Sequence, residues 1–217
     1  MSLRTLFPLQ LVKDKFDKDV IAEEYDLSTI DIISQKDPHP VLQIGLCVWH
    51  QIVTRNLFNV DPRAMALNVD AQDPILYKKI EELLGIQAIL DFFYANLRVS
   101  DDTLGDDNEC CQICFAKTYP NDIVLSDVTF ENPYKPIPED EQKYEYTRYE
   151  GLSLLPDLMQ HLKDYSTENG IDRILLTAAS GDLIPLFKKY GFDVDDSPIA
   201  QMALDVGYGI PMQLLLK

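Results

Sequence analysis

The sequence predicts a mixed α/β protein: a mostly antiparallel sheet with flanking helices, preceded by a helix-rich N-terminal half. Two observations carry this reading. Apolar residues keep helical spacing through much of residues 1–100. From residue 110 the period shortens to runs of Val, Ile, Thr and aromatics between helical segments, in the order β-β-(β)-α-β-α-β-β. At 217 residues, 46% hydrophobic and 25% charged, the chain can bury a core without disulfides or a structural metal. It divides into a helix-rich region, 1–105, packed on the same unit as a sheet-bearing region, 106–217.

The first region supplies three helical segments. Val41, Leu42, Ile44, Leu46, Val48, Trp49, Ile52 and Val53 are too dense for a single narrow stripe. They predict a helix covered on most sides, opening after Pro40 and running to about Arg55. Asp73-Pro74 is a helix start, with Asp as cap and Pro at the first position, and Ile75, Leu76, Ile80, Leu83 and Leu84 keep the spacing to Gly85. Ile86 to Leu97 reads as a second short helix, with Ile89, Leu90, Phe93 and Leu97 on one face. Ser100 to Glu109 is a solvated acidic loop without the residue order of a calcium loop.

In the second region, Cys111–Tyr119 and Asp122–Phe130 flank Pro120-Asn121 and predict a hairpin. A Pro-rich connection runs from Asn132 to Gln142, then a candidate strand, Lys143–Thr147. If Asp122–Phe130 is itself the strand that leads into the next helix, 132–147 is an inserted loop. Leu155, Leu158, Met159 and Leu162 place a helix over Leu154–Tyr165 that stops at Asn169-Gly170. Ile171–Ala179 reads as a buried strand, and Asp182–Lys189 as a short helix capped by Asp182 with Pro185 in its first turn. Ile199–Val206 and Ile210–Leu216 read as a closing strand pair.

Charge narrows the function. There are 19 Lys+Arg against 36 Asp+Glu, a formal net charge of −17. Nucleic-acid backbones and anionic membrane surfaces are bound by Lys/Arg, so neither is an expected partner, and cationic amines fit better. No segment has the roughly 20 apolar residues of a membrane span, and the N-terminal MSLRTLFPLQLVKDKF predicts no secretory signal. Cys110, Cys111 and Cys114 lie too close together to staple distant segments, which points to a reduced, cytoplasmic protein. They form no second pair, and His39, His50 and His161 show no ligand spacing to them. On a strand, Cys111 and Cys114 face opposite sides, so the expectation is buried small side chains and no metal.

The segment Arg148-Tyr149-Glu150-Gly151-Leu152-Ser153 carries the chemistry. A turn with glycine before a helix exposes backbone N–H groups at the positive end of the helix dipole, a site suited to a pyrophosphate. Gly151 lets backbone approach the ligand, and Ser153 caps the helix or meets a phosphate oxygen. A Gly-x-Ser before a helix is equally the pattern of a plain cap.

From that loop onward the chain resembles the GNAT superfamily of N-acetyltransferases. The residues that carry the resemblance are Arg148-x-x-Gly151-x-Ser153, an amphipathic helix, Asn169-Gly170-Ile171-Asp172-Arg173-Ile174-Leu175-Leu176-Thr177-Ala178, and a short helix ending Leu186-Phe187-Lys188-Lys189-Tyr190-Gly191-Phe192. The resemblance covers residues 110–217. In that family the loop Q/R-x-x-G-x-G/A opens the helix that cradles the coenzyme A pyrophosphate, and the next helix ends in a pattern like L-Y-E-K-x-G-F.

The resemblance implies that Arg148, Tyr149, Glu150, Gly151, Leu152, Ser153 and Phe187 contact acetyl-CoA or another acyl-CoA as co-substrate. It implies an acyl-CoA-dependent N-acyltransferase acting on an amine of a small molecule or peptide. Three departures bear on catalysis. The phenol often credited with protonating the departing thiolate falls at Phe187, which leaves Tyr190, Tyr165 or water for that role. The Asn that often begins the last helix falls near Ser180. Glu139–Lys143 is polar where the resemblance implies apolar residues. Glu131 and Glu145, each near the end of a candidate strand leading to the loop, are candidate bases for the acceptor amine. His161, beside Leu158 and Leu162, reads as a partly exposed structural histidine. The competing reading is a catalytically degenerate fold of the same kind acting as a binding or regulatory module. A homodimer is one assembly left open.

Overall fold

Strand pairing organises the described residues into one eight-stranded sheet. The computed structural model describes residues 2–61, 63, 73–144 and 147–216. Its strands are β1 (Val20–Asp26), β2 (Ile89–Val99), β3 (Glu109–Thr118), β4 (Asp122–Pro136), β5 (Tyr149–Gly151), β6 (Arg173–Ser180), β7 (Asp193–Val194) and β8 (Tyr208–Leu215). They lie in the order β1-β2-β3-β4-β6-β8-β7, with β5 on the outer part of β4. Every pairing is antiparallel except β4 with β6. That parallel pair is bridged by a helix, as parallel strands require.

Helices cover both faces. In chain order they are α1 (Gln10–Lys13), α2 (Ile30–Lys36), α3 (Pro38–Thr54), α4 (Leu76–Leu84), α5 (Leu155–Glu168), α6 (Ile184–Lys188) and α7 (Pro198–Val206). On one face Ile33, Val41, Ile44, Val48 and Ile52 pack with Leu76 and Ile80 against Phe92, Tyr94, Cys114 and Val124. On the other, Leu158, Met159 and Leu162 join Leu3, Phe7 and Val12 against Phe93, Leu97, Phe115 and Phe130. The N-terminal residues therefore share a core with α5, far along the chain. Gly45 lets α3 and α4 meet, since a Cβ there would lie 3.1 Å from Leu76 Cβ.

The helix over Val41–Val53 is present and starts at Pro38, and the Pro120-Asn121 hairpin is present. Gly85 ends α4 in the left-handed conformation that glycine favours, φ 66°. Asp73 does not cap α4, which begins at Leu76; it acts in the turn before the helix, its Oδ1 accepting from Ile75 N–H at 3.0 Å.

Four further expectations are corrected. Ile86–Leu97 contains no helix; Ile89–Val99 is strand β2. Both of its faces are buried, Phe93, Ala95 and Leu97 against one core and Phe92 and Tyr94 against the other, so apolar residues fill consecutive positions and a helical subset can be picked from them. Ile199–Val206 is helix α7, not a strand. The Ser197 Oγ accepts from Ala200 N–H at 3.2 Å, Pro198 takes the first turn, and Gly207 ends it at φ 87°. The strand partner of β8 at that end is β7. No strand forms at the described residues of Lys143–Thr147; the short strand is Tyr149–Gly151. Asp182 does not cap α6, because it lies in the preceding turn and its carboxylate takes the Ser180 hydroxyl. Strand β1 was not expected: it is an edge strand whose Ile21, Glu23 and Glu24 stay exposed.

Candidate functional site

A wedge opens where the parallel strands part. Strands β4 and β6 pair from Asp122↔Arg173 to Leu125↔Leu176 and no further. The register between β3 and β4 slips at Cys114/Phe115, which leaves Ser126 as the bulged residue. A bulge bends its strand and increases twist. The Ser126 hydroxyl donates to Pro40 O at 2.6 Å and ties the bulge to the first turn of α3. Beyond it β4 swings away, to be met again by β5 at Glu131↔Gly151. β6 continues with β8 alone. Open α/β sheets bind ligands in the crevice at the carboxyl ends of such strands.

Two adjoining cavities fill the wedge. One of about 670 Å³ runs toward β5 and the start of α5, past Glu131, Tyr149, Gly151, Ser153 and Leu155. One of about 640 Å³ runs toward α3, past His39, Gln43, Ser126 and Thr177. They share Asp127, Val128, Ala179, Leu183 and Phe187.

The structure therefore brings Glu131, Tyr149, Gly151, Ser153 and Phe187 to one cleft. Arg148 and Glu150 are exposed beside it, and Lys135 pairs with Glu150 at 2.8 Å. Leu152 turns into the core, and its N–H donates to Phe130 O at 3.0 Å. Tyr190 lies in the turn after α6, half-buried against the apolar core and outside the cleft lining. Tyr165 packs in the core on α5. Glu145 lies outside the described residues.

The loop before α5 differs in detail from what its sequence suggests. Ser153 is left-handed, φ 58°, a region that favours glycine. Its hydroxyl does not cap the helix, which begins from Leu154 with no side-chain cap. Pro156 removes one first-turn N–H and Asp157 adds a carboxylate there. Gly151 is extended, and a Cβ on it would meet only Phe130 O, at 3.5 Å. Phe187 is 8% exposed; its ring packs edge-on to Phe192, 6.2 Å between centroids, while it lines both cavities.

The residue that sequence reasoning missed is Asp127. It stands where the two cavities meet, and its carboxyl is pushed up to about 6 by burial, with Asp37 and Glu109 adding and His39 opposing. Gln112 Nε2 donates to Asp127 Oδ2 at 2.9 Å and to Asp37 Oδ2 at 3.1 Å, and Tyr94 OH donates to Asp37 Oδ2 at 3.0 Å. Glu131 is also raised, by burial and by Glu109, against Arg148. A lone acid inside the apolar run Ile123-Val124-Leu125-Ser126-Asp127-Val128 was the available signal. A carboxyl poised in this range can take a proton from an amine near neutral pH.

Among the described residues no group of His, Cys, Asp and Glu is arranged to hold a metal ion. Cys110, Cys111 and Cys114 are buried, with Cys111 and Cys114 in the cores on opposite faces.

The loop, helix α5, strand β6, helix α6 and the Tyr190-Gly191-Phe192 turn come in the order that the sequence resemblance implied. Solved structures similar to this chain include acetyltransferases. One is a GNAT-family acetyltransferase from Staphylococcus aureus Mu50, 18% identical over 92% of this chain and 100% of that one, TM-score 0.36. Another is the PaiA N-acetyltransferase of Thermoplasma acidophilum in complex with coenzyme A, 11% identical over 91% and 99%, TM-score 0.33. A third is the spermidine N-acetyltransferase of Vibrio cholerae in complex with CoA and spermine, 9% identical over 90% and 95%, TM-score 0.35. No family model matches the sequence, and no curated protein does. No helix among the described residues is long and apolar enough to cross a membrane.

Proposed function

We propose that this chain is an acyl-CoA-dependent N-acyltransferase that acts on an amine of a small molecule or peptide. The observation that carries the reading is the wedge between β4 and β6, with an acid of raised pKa at its centre and a glycine-bearing loop and helix start at one end.

An acyl-CoA has an anionic pyrophosphate end, an arm with two amides, and a thioester. The Gly151–Ser153 backbone and the start of α5 suit the first. The edge of β4 between Ser126 and Phe130, which β6 has left, offers main-chain groups to the second. The thioester then lies by Phe187 and Asp127. In the transfer the amine nitrogen attacks the thioester carbonyl, a C–N bond forms, the C–S bond breaks, and the thiolate leaves with the electron pair. Asp127 accepts the amine proton, with Glu131 as second acid on the same strand. Glu131 lines the same cleft, and Asp37 and Glu109 lie close enough to raise the Asp127 carboxyl, so a cationic acceptor is favoured.

One observation favours the degenerate reading: a phenylalanine, which has no proton to give, at the position of the family's phenol. The discriminating experiment is calorimetric titration with coenzyme A and acetyl-CoA, then a transfer assay with a panel of amines. Binding and turnover support the proposal. Binding without turnover on any amine supports the degenerate module. Absence of binding removes both.

A further inference from the structure

A further cavity of about 360 Å³ lies between the second half of α3 and the strands β6 and β8. Its walls are largely apolar: Leu46, Trp49, Leu175, Ile199, Pro211 and Met212. Gln43, Leu176, Thr177 and Gly209 line both this cavity and the α3 end of the wedge, so the two spaces adjoin. Thr177 Oγ1 lies 3.9 Å from Cys47 Sγ, so these two side chains of β6 and α3 touch where the two spaces adjoin.

The titratable groups at this cavity are Cys47, His50 and Asp195. The Cys47 thiol is pushed up to about 11 by burial and is uncharged. Asp195 is engaged by His50, whose Nε2 lies 3.4 Å from its Oδ1, and also by Ser197 and Gln51. Among the fully buried side-chain nitrogens and oxygens of the described residues at this cavity, only His50 Nδ1 is left without a partner. No uncommitted carboxylate remains among them for a cation. The acids Asp37, Asp127, Glu109 and Glu131 gather instead around the α2–α3 joint and the outer half of β4.

The two adjoining spaces therefore suit different groups. An ammonium moved into the apolar cavity would lose its hydration and find no free anion. A hydrocarbon chain gains there from every methylene it removes from water. We propose that this cavity receives the hydrocarbon chain of an acyl thioester longer than acetyl, while the amine approaches from the acidic side. The proposal rests on the acyl-CoA reading of the wedge. A space of this size falls within the roughly 300–1,000 Å³ of small-molecule pockets and exceeds the need of a methyl group.

The test is calorimetry, in the absence of acceptor, with coenzyme A, acetyl-CoA, butanoyl-CoA and hexanoyl-CoA. Affinity should rise about fourfold per methylene, on the order of 10²-fold from acetyl to hexanoyl. Cys47→Phe, which puts a ring into the cavity that Cys47 lines, should flatten the ratio of hexanoyl-CoA to coenzyme A affinity. Because Cys47 packs within α3, Ile199→Glu serves as a second variant: Ile199 is 50% exposed, so the fold tolerates the charge while the cavity rim does not. Coenzyme A binding with a flat chain-length series overturns the inference and leaves the wedge reading in place. So does a series of primary alkylamines, titrated onto the acetyl-CoA complex, whose chain-length gain is lost in the same two variants. No binding of coenzyme A at all removes both.

Discussion

Leu125 of β4 stands opposite Leu176 of β6, and this is the last pair the two parallel strands share. One residue later Ser126 bulges, and the backbone that would have continued the ladder faces a cleft. Everything proposed for this protein depends on that parting. It leaves strand edge unpaired, brings Asp127 under partial burial, and sets Phe187 across from it.

Asp127→Asn should raise stability and lower activity together. Burial holds the folded carboxyl at about 6, above its unfolded value. The group's contribution to stability is therefore complete below the unfolded pKa and is lost as pH rises through about 6. At pH 7.5 the charged, buried form is a liability, and Asn keeps an acceptor for Gln112. The expected gain is about 1–2 kcal/mol in urea melts at pH 7.5, vanishing near pH 4. Transfer should fall on the order of 10²–10⁴-fold. A variant that is less stable, or that keeps full activity, would remove Asp127 from the role of base.

Arg55→Met should destabilise in a pH-dependent way. Asp122 is fully buried, with Arg55 Nη1 3.0 Å from its Oδ2 and Arg173 Nε 3.8 Å from its Oδ1. Burial nevertheless pushes the carboxyl up to about 6 against both arginines. Removing Arg55 leaves a buried charge short of a partner, at about 3 kcal/mol at pH 7.5. Below pH 5 Asp122 is largely neutral and the loss should shrink. Equal losses at pH 7.5 and pH 4.5 would mean that the pair is not ionic.

Gly151→Asp should weaken coenzyme A binding at least tenfold without unfolding the chain. The added Cβ meets nothing closer than Phe130 O at 3.5 Å, so the fold has room. The carboxylate, however, would stand beside the anion site and opposite Glu131. Titration of the variant at parental melting temperature is the measurement, and unchanged affinity would place the pyrophosphate elsewhere.

A fragment of residues 1–105 should not melt cooperatively. It would expose β2, whose Phe93, Leu97 and Val99 pack with Phe115, Phe130 and Leu162, and it would leave Leu3 and Phe7 without α5. Circular dichroism on the fragment decides this, and a sharp transition would show two independent units.

How much of the fold was legible depends on how each element is buried. Helix α5 covers one face of the sheet, so Leu155, Leu158, Met159 and Leu162 show their period plainly. Strand β2 is buried on both faces, and its consecutive apolar residues hid the period of two. Helix α7 buries little beyond Ala200, so Ile199, Met202 and Val206 remain exposed and its period has no polar face to contrast with. Its cap Ser197 and stop Gly207 were the readable marks. The loop at Gly151 was legible because glycine before a helix is a local signal. Asp127 was not, because its placement comes from a bulge and from Gln112 and Asp37, which lie 15 and 90 positions away in the chain.

Phe187→Tyr decides whether the cleft can use a phenol. The ring of Phe187 packs against Phe192 on its core side and borders both cavities of the wedge on the other. A thiolate leaves tolerably near neutral pH, since thiols ionise near about 8.5, so the parent chain can turn over without a donor. A positioned acid is worth on the order of 10²–10⁴-fold. If the ring's outer edge faces the thioester sulfur, the added hydroxyl lies in the cleft, the melting temperature holds, and turnover on an accepted amine rises. If that edge faces the core, the hydroxyl is buried without a partner and the fold loses about 1–3 kcal/mol. The placement of Phe187 on both cavities predicts the first outcome. Melting temperature and acetyl-CoA affinity measured on the same variant separate the two. Lower stability with unchanged affinity would mean that Leu186-Phe187-Lys188-Lys189 has been set against the family's helix in the wrong register, and that the proton for the thiolate comes from water.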